Sequence, residues 1–83
     1  MNEVFLIGKV ITDVNFNFII ESKHNSIVEF KIKTLDNQVL NIRTYDELAD
    51  FAYSKLKKDS IVFIYGNLIK NYIIVKYLKN FEQ

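Results

Sequence analysis

The two glycines of this chain stand at matching points of two apolar runs. Residues 4–7 lead into Gly8 and residues 62–65 lead into Gly66, and the two runs match apolar position for apolar position. A glycine inside a strand lets the sheet coil sharply, or lets another backbone approach without a side-chain clash. We therefore expect Gly8 and Gly66 to mark two bends of a strongly curved sheet. An ordinary bulge or strand end at each glycine is the alternative.

Composition limits what else the chain can be. Its 83 residues, 49% of them hydrophobic, predict a single domain spanning residues 1–83. With no cysteine and one histidine, we expect no disulfide, no metal site and no cofactor. The N-terminus lacks a signal-peptide pattern and no apolar stretch could span a bilayer, which predicts a cytoplasmic protein with no membrane partner. A net charge of +1 does not by itself indicate a nucleic-acid partner.

Alternation of apolar and polar positions predicts the strands. It is clearest at residues 27–34, where apolar and charged residues alternate with the two-residue period of a strand. The other predicted segments are 4–11, its continuation 15–21 with Phe16, Phe18 and Ile20 on one face, 39–45, 60–68 and 72–81. Polar turns are expected at 22–25, 35–38 and 70–71.

One helix is predicted, over a segment that begins at Tyr45. Acidic residues lie early in this segment and lysines lie at its end, which complements the helix dipole. The expected buried stripe consists of Leu48, Phe51, Ala52 and Leu56. The element order is then strand, strand continuation, two strands, helix and two strands. That order predicts an all-β chain with one helix, a five-stranded OB-fold barrel whose helix lies between strands 3 and 4.

Three segments, "NEVFLIGKV", "IVEFKIKT" and "LADFAYSKLKKDSIVFIYGNL", together resemble the bacterial single-stranded DNA-binding protein family. In that family an Asn-x-Val-x-Leu-x-Gly strand, a Leu-Ala-Glu helix start and a Val-x-x-x-Gly-x-Leu strand recur in this order. The resemblance covers nearly the whole chain. It implies oligomeric OB-folds that bind single-stranded DNA without sequence preference, in replication, recombination or repair of a bacterial or mobile-element genome. It also implies replication proteins as partners.

The chain departs from this family at several points. The turns at 35–38 and 70–71 are short, there is no tryptophan, and the sequence ends without the family's acidic C-terminal tail. Glu47 and Asp59 add negative charge where the family has a basic residue and a glycine. The near-neutral charge, the short turns, Glu47 and Asp59 favour an alternative function, an OB-fold protein-interaction adaptor similar to small replication-restart proteins, with weak or no nucleic-acid binding.

Outward residues of segments 27–34 and 39–45 form the predicted nucleic-acid-binding site. Its members are Lys31, Lys33, Asn41, Arg43 and Tyr45, with Tyr72 from the last hairpin as a second aromatic candidate. Binding of single strands needs cations that hold phosphates and rings that stack bases. Tyr45 also falls where the resembling family places a stacking aromatic. The alternative is a solvated sheet face whose charges keep the strands soluble.

A second outward set is apolar. On the two strands that contain the glycines, alternate residues should face the barrel core, and on the second strand these are Val62, Ile64, Gly66 and Leu68. The residues left on the outside are Phe5, Ile7, Phe63 and Tyr65. Monomers rarely expose such a patch, so we predict that these four residues form a homo-oligomer interface, of a dimer or a tetramer. The competing interpretation is that Phe63 and Tyr65 stack bases.

No catalytic motif is apparent. His24 lies in a polar turn without an acidic or cysteine neighbour in sequence, and we interpret it as a solvent-exposed loop residue. Serines 26, 54 and 60 lack a base in any recognisable motif, and no Gly-rich phosphate loop exists. We therefore expect the protein not to be an enzyme.

Overall fold

The computed structural model describes residues 2–18 and 24–81. The elements in order are β1 (Glu3–Val10), β2 (Asn15–Phe18), β3 (Ser26–Thr34), β4 (Val39–Tyr45), α1 (Asp46–Lys55), β5 (Ile61–Ile69) and β6 (Tyr72–Asn80). The predicted order is confirmed. Residues 19–21 of the predicted segment 15–21, including Ile20, and residues 22–23 of the predicted turn lie outside the described residues.

The barrel closes at two places, through an antiparallel strand pairing at one and a parallel strand pairing at the other. β1 pairs with β5 along its length, and its last three residues also pair with β3. β2 then continues along β3, so that β1 and β2 act as one bent strand. At the other side β6 lies parallel to β4 over a short stretch. Within the described part of the chain, the predicted five-stranded OB-fold barrel, with α1 between its third and fourth strands, is confirmed.

The barrel core is built from the inward apolar residues of the strands. The predicted alternation on β3 and β4 is confirmed, since Val28, Ile32 and Ile42 are buried while Lys31 and Asn41 are exposed. The remaining buried apolar strand residues are Val10, Ile27, Phe30, Val62, Ile64, Ile73, Val75 and Leu78. A single core with charged residues outside is the arrangement that the sequence pattern predicts.

The helix packs on the barrel through smaller residues than expected. Ala49 and Ala52 are both fully buried, and Leu56 is buried just after the helix ends. Leu48 and Phe51, which the predicted stripe includes, are only partly buried, and Ala49 was missing from that stripe. Two alanines allow the helix axis to approach the barrel closely, so the larger residues lie at the edge of the contact. No helix among residues 2–18 and 24–81 is long and apolar enough to cross a membrane.

Both glycines lie where a neighbouring backbone approaches. A Cβ added at Gly66 would overlap the carbonyl oxygen of Ile74, and one added at Gly8 would lie 3.0 Å from the carbonyl oxygen of Lys33. The β5–β6 register also shifts between Tyr65 and Gly66, which marks a β-bulge. A close backbone approach, one of the two reasons for a glycine inside a strand, is therefore found at both glycines, and at Gly66 it coincides with the bulge that was the alternative to a bend.

The prediction that Leu68 lines the barrel is wrong. Its side chain is 43% exposed, whereas Val62 and Ile64 on the same strand are fully buried. The pairing of β1 with β5 ends where Glu3 lies opposite Asn67, so Leu68 lies beyond the end of β1. Since β6 still pairs beside Leu68 and its partner Ile73 is buried, it is the end of β1 that leaves Leu68 uncovered.

Candidate nucleic-acid interface

The turn between β3 and β4 fixes which outward residues are neighbours. The N–H of Thr34 donates to the carbonyl oxygen of Gln38 at 2.9 Å, and Asn37 adopts a left-handed φ of 67°. The resulting register places Lys31 opposite Asn41. We call the predicted site the candidate track: Lys31, Lys33, Asn41, Arg43, Tyr45 and Tyr72. From one end of the β3–β4 hairpin to the other it extends roughly 20 Å, at about 3.4 Å per residue.

Closure of the barrel brings Tyr72 into the candidate track. The parallel pairing of β4 with β6 places Asn41 opposite Tyr72. The guanidinium Cζ of Arg43 lies 3.8 Å from the centroid of the Tyr72 ring, and Asn41 Nδ2 donates to the carbonyl oxygen of Asn71 at 3.2 Å. Arg43 and Tyr72 lie far apart in the sequence, and folding brings them together as a cation–π pair.

Arg43 is also paired with a carboxylate that the predicted site does not include. Its Nε donates to Glu29 Oε2 at 2.8 Å, and its Nη2 lies 2.6 Å from the same oxygen. The side chains of Arg43 and Glu29 are 26% and 47% exposed. Partial burial lowers the pKa of Arg43, but hydrogen bonds to Glu29 and Tyr45 outweigh it, so the net pKa is above the ordinary value. Arg43 is therefore a fixed cation within the candidate track.

A groove of about 320 Å³ runs beside this pair. Lys31, Asn41, Arg43 and Tyr72 line it together with Glu29 and Thr12, and the Thr12 Oγ1 accepts a hydrogen bond from the Lys31 N–H at 2.9 Å. Lys33 and Tyr45 do not line the groove, because they lie towards opposite ends of the β3–β4 hairpin. The structure thus gathers most of the candidate track around one groove and extends it in both directions.

At the Tyr45 end, the interpretation of His24 as a solvent-exposed loop residue is wrong. The His24 ring stacks on Tyr45, with centroids 4.0 Å apart and an interplanar angle of 18°. Its Nδ1 lies 2.7 Å from Asp46 Oδ2, and its side chain is half-buried. Asp46 opens the helix with a left-handed φ of 53°, and its carboxylate also accepts the Asn25 N–H at 2.8 Å. The contact depends on chain reversal between β3 and α1, which sequence spacing does not reveal.

The charge state of Asp46 follows from these contacts. The hydrogen bond with His24, followed by those from the backbone of Asn25 and Ser26, holds the pKa of Asp46 below its ordinary value. One side of the Tyr45 ring is covered by His24, and the residue as a whole is partly exposed, so a base could stack only on the side away from His24. Among residues 2–18 and 24–81, no group of three or more His, Asp or Glu side chains could hold a metal ion.

The predicted interface residues lie on the outer side of β1 and β5. We call the apolar face Phe5, Ile7, Phe63, Tyr65 and Tyr77. Phe5 is 68% and Ile7 48% exposed. The Phe5 and Tyr65 rings stack with centroids 4.6 Å apart, and Phe63 meets Tyr77 edge-on at 6.1 Å.

Tyr77 is an addition to the predicted set. The bulge beside Gly66 places Lys76 and Tyr77 on the outside in succession, between buried Val75 and Leu78. At the border of the face, Lys76 Nζ lies 3.6 Å from Glu3 Oε2. A hydrogen bond with Glu3 raises the pKa of Tyr65 above its ordinary value. The face is thus an aromatic cluster with a charged border, on the strands opposite those that carry most of the candidate track.

Comparison with known proteins finds solved structures that share the fold of this chain. The chain matches no protein-family model, and no curated protein matches it in sequence. Among solved structures it is similar to the single-stranded DNA-binding protein from Thermus aquaticus, with a TM-score of 0.84 and 19% identity over 96% of this chain. The chain spans 40% of the length of that protein.

Two shorter structures are covered almost completely. The small single-stranded DNA-binding protein from Streptomyces coelicolor gives a TM-score of 0.84 at 15% identity, with 94% of this chain and 91% of that chain aligned. The single-stranded DNA-binding domain of a Synechococcus protein gives 0.83 at 13% identity, with 94% and 93% aligned. The predicted resemblance is confirmed at the level of the fold.

Proposed function

We propose that this protein binds single-stranded DNA without sequence preference along the candidate track. The observation that carries the proposal is the Arg43–Tyr72 stack, in which a cation and a flat ring share one groove with Lys31. Solved structures with the same fold are named as single-stranded DNA-binding proteins, which supports the proposal. We further propose a cytoplasmic role in replication, recombination or repair of a bacterial or mobile-element genome, with replication proteins as partners.

The chemistry of the candidate track suits this ligand. Lys31 and Lys33 are exposed, and within the described residues no carboxylate lies at ion-pair distance from either ammonium group. They are therefore available to neutralise phosphates, and each neutralised phosphate releases counterions. Tyr72 and the uncovered side of Tyr45 offer ring surfaces on which any base can stack, at about 1 to 3 kcal/mol per base. None of these contacts depends on the identity of the base.

We also propose that the apolar face joins copies of this chain into a dimer or tetramer. Phe5, Ile7 and Tyr77 are each about half exposed or more. Phe5 and Ile7 lie on β1 and Tyr77 lies on β6, with Phe63 and Tyr65 of β5 between them. An exposed aromatic cluster of this kind is unusual on a monomer. Covering it with a second copy would leave the β3–β4 hairpin, and so most of the candidate track, open to the nucleic acid.

Fluorescence anisotropy of a labelled oligo-dT, titrated with the protein at low and moderate salt, tests the binding proposal. We expect saturable binding that weakens steeply with salt, because phosphate contacts release counterions. Tyr45→Ala should weaken it without changing the salt slope much, and Arg43→Ala should weaken it as well. A folded protein that does not bind, or whose binding ignores salt, would overturn the proposal and favour the protein-adaptor function.

A further inference from the structure

The central cation of the candidate track already has an anionic partner. Glu29 is the one carboxylate on the outward faces of β3 and β4, both of which the structure describes throughout. It lies opposite Arg43 in the hairpin register and takes both Nε and Nη2 of the guanidinium on a single oxygen, Oε2. Lys31 and Lys33, on the same strand as Glu29, have no such partner among the described residues.

The stack on Tyr72 limits how Arg43 can respond. A guanidinium donates its hydrogen bonds in its own plane, and it binds phosphate by the same edges that bind carboxylate. With Cζ 3.8 Å from the Tyr72 centroid, one face of the group is covered by the ring. The ring therefore blocks approach from that face, and Glu29 already occupies the Nε–Nη2 edge. A phosphate that uses the Nε–Nη2 edge must therefore displace Glu29.

We propose that Glu29 is an internal competitor for phosphate that lowers the affinity of the candidate track for single-stranded nucleic acid. This inference rests on the proposed function, since it concerns the same site. Either Arg43 stays on Glu29 when the strand binds, or it exchanges Glu29 for a phosphate and leaves the carboxylate to take up a cation from solution. In both cases fewer counterions are released than the cations of the site would predict.

The opposite role would be positioning, in which Glu29 holds Arg43 ready for the strand. The two roles predict opposite results when the charge of Glu29 is removed and its shape is kept. Glu29→Gln weakens binding if the carboxylate positions Arg43. If the carboxylate competes, the same substitution tightens binding and steepens the salt dependence.

The test is an anisotropy titration of labelled oligo-dT at several salt concentrations with wild type, Glu29→Gln and Asp50→Asn. Asp50 lies on the exposed side of α1, outside the candidate track, so its variant makes the same change in net charge elsewhere. We expect Glu29→Gln to bind about threefold to tenfold more tightly at low salt. Its slope of log affinity against log salt should be steeper by about 0.7 per additional phosphate held. Asp50→Asn should stay within about twofold of wild type, because an exposed charge away from the site is largely screened.

The outcomes separate this inference from the proposed function. If wild type binds and Glu29→Gln binds equally tightly or more weakly, the competitor role is overturned and the proposed function is left intact. Equal tightening by Glu29→Gln and Asp50→Asn also overturns it, since the gain is then a general charge effect. Failure of both wild type and Glu29→Gln to bind overturns both. If circular dichroism shows that Glu29→Gln is unfolded, Glu29→Ser replaces it, with the same expectation of tighter binding.

Discussion

The guanidinium Cζ of Arg43 lies 3.8 Å from the centroid of the Tyr72 ring. The contact exists because β4 and β6 run parallel where the barrel closes, with Asn41 opposite Tyr72. It places the flat ring of one strand against the charged group of another, beside a groove that Lys31 also lines. The candidate track therefore depends on barrel closure as much as on the β3–β4 hairpin.

Replacing the Tyr72 ring should weaken binding of the single strand without changing the salt dependence of the affinity. Tyr72→Leu removes a stacking surface and the support of Arg43, so we expect about tenfold weaker binding to oligo-dT, from the loss of about 1.4 kcal/mol. The salt slope should stay near that of wild type, because no charge is lost. Anisotropy titrations measure both quantities. Tyr53→Leu, at an exposed position of α1, is the control, and equal affinity of Tyr72→Leu and wild type would remove Tyr72 from the site.

Asp46 should make the stability of the fold depend on pH in acid. Its folded-state pKa is lowered, first by the hydrogen bond with His24 and then by that from the Asn25 N–H. The unfolded chain then binds the proton more readily. This contribution is therefore present above the unfolded pKa of about 3.9 and is lost as the pH falls through the folded value.

Asp46→Asn should accordingly flatten the loss of stability between about pH 5 and about pH 2. Urea unfolding at a series of pH values measures the difference. Asp50→Asn, which changes an exposed carboxylate of the same helix, should follow the wild-type curve. If wild type and Asp46→Asn lose stability in parallel, the contact with His24 does not contribute to stability in solution.

An added methyl group should lower the free energy of unfolding more at Gly66 than at Gly8. At Gly66 the added Cβ meets a backbone carbonyl, which cannot move without disturbing the β5–β6 pairing. At Gly8 the added Cβ lies 3.0 Å from both the flexible tip of Ile32 and the carbonyl oxygen of Lys33, a less severe approach than at Gly66. We expect Gly66→Ala to destabilise by about 1 to 3 kcal/mol and Gly8→Ala by less, in urea unfolding. A larger loss at Gly8 would contradict this explanation of the two sites.

The apolar face should determine the oligomeric state. We expect wild type to be a dimer or tetramer by light scattering after size-exclusion chromatography, and Phe5→Lys to be smaller, because a lysine would be buried among aromatic rings. Tyr53→Lys, an exposed aromatic position on α1, should keep the wild-type mass. A monomeric wild type, or an unchanged mass for Phe5→Lys, would show that the face does not join copies of this chain.

Local pattern was sufficient for the strands that carry the candidate track. Alternation on β3 and β4 gave the inward and outward sets, because both strands are paired on two sides and one face of each meets the core. The same register places Glu29 opposite Arg43, so this pair could have been found from the short turn at 35–38. The predicted site contains only polar or cationic residues and aromatic rings, so Glu29, the anion opposite Arg43, is missing from it.

Other features needed the folded chain. Tyr77 is outside only because the bulge beside Gly66 interrupts the alternation of β6, and no residue of β6 itself signals the interruption. His24 meets Tyr45 and Asp46 because the β3–β4 pairing brings the start of β3 beside the start of the helix. The contact of Arg43 with Tyr72 likewise depends on the parallel pair β4–β6, which is a property of the closed barrel.

The most direct test of the central claim is an NMR titration of ¹⁵N-labelled protein with unlabelled oligo-dT. We predict that the amide signals that shift most belong to β3, β4 and the start of β6, around Lys31, Arg43 and Tyr72. Signals of the apolar face, around Phe5 and Phe63, should change little. Shifts concentrated on the apolar face, or no shifts at concentrations that saturate the anisotropy signal, would contradict the assignment of the single-strand site to the candidate track.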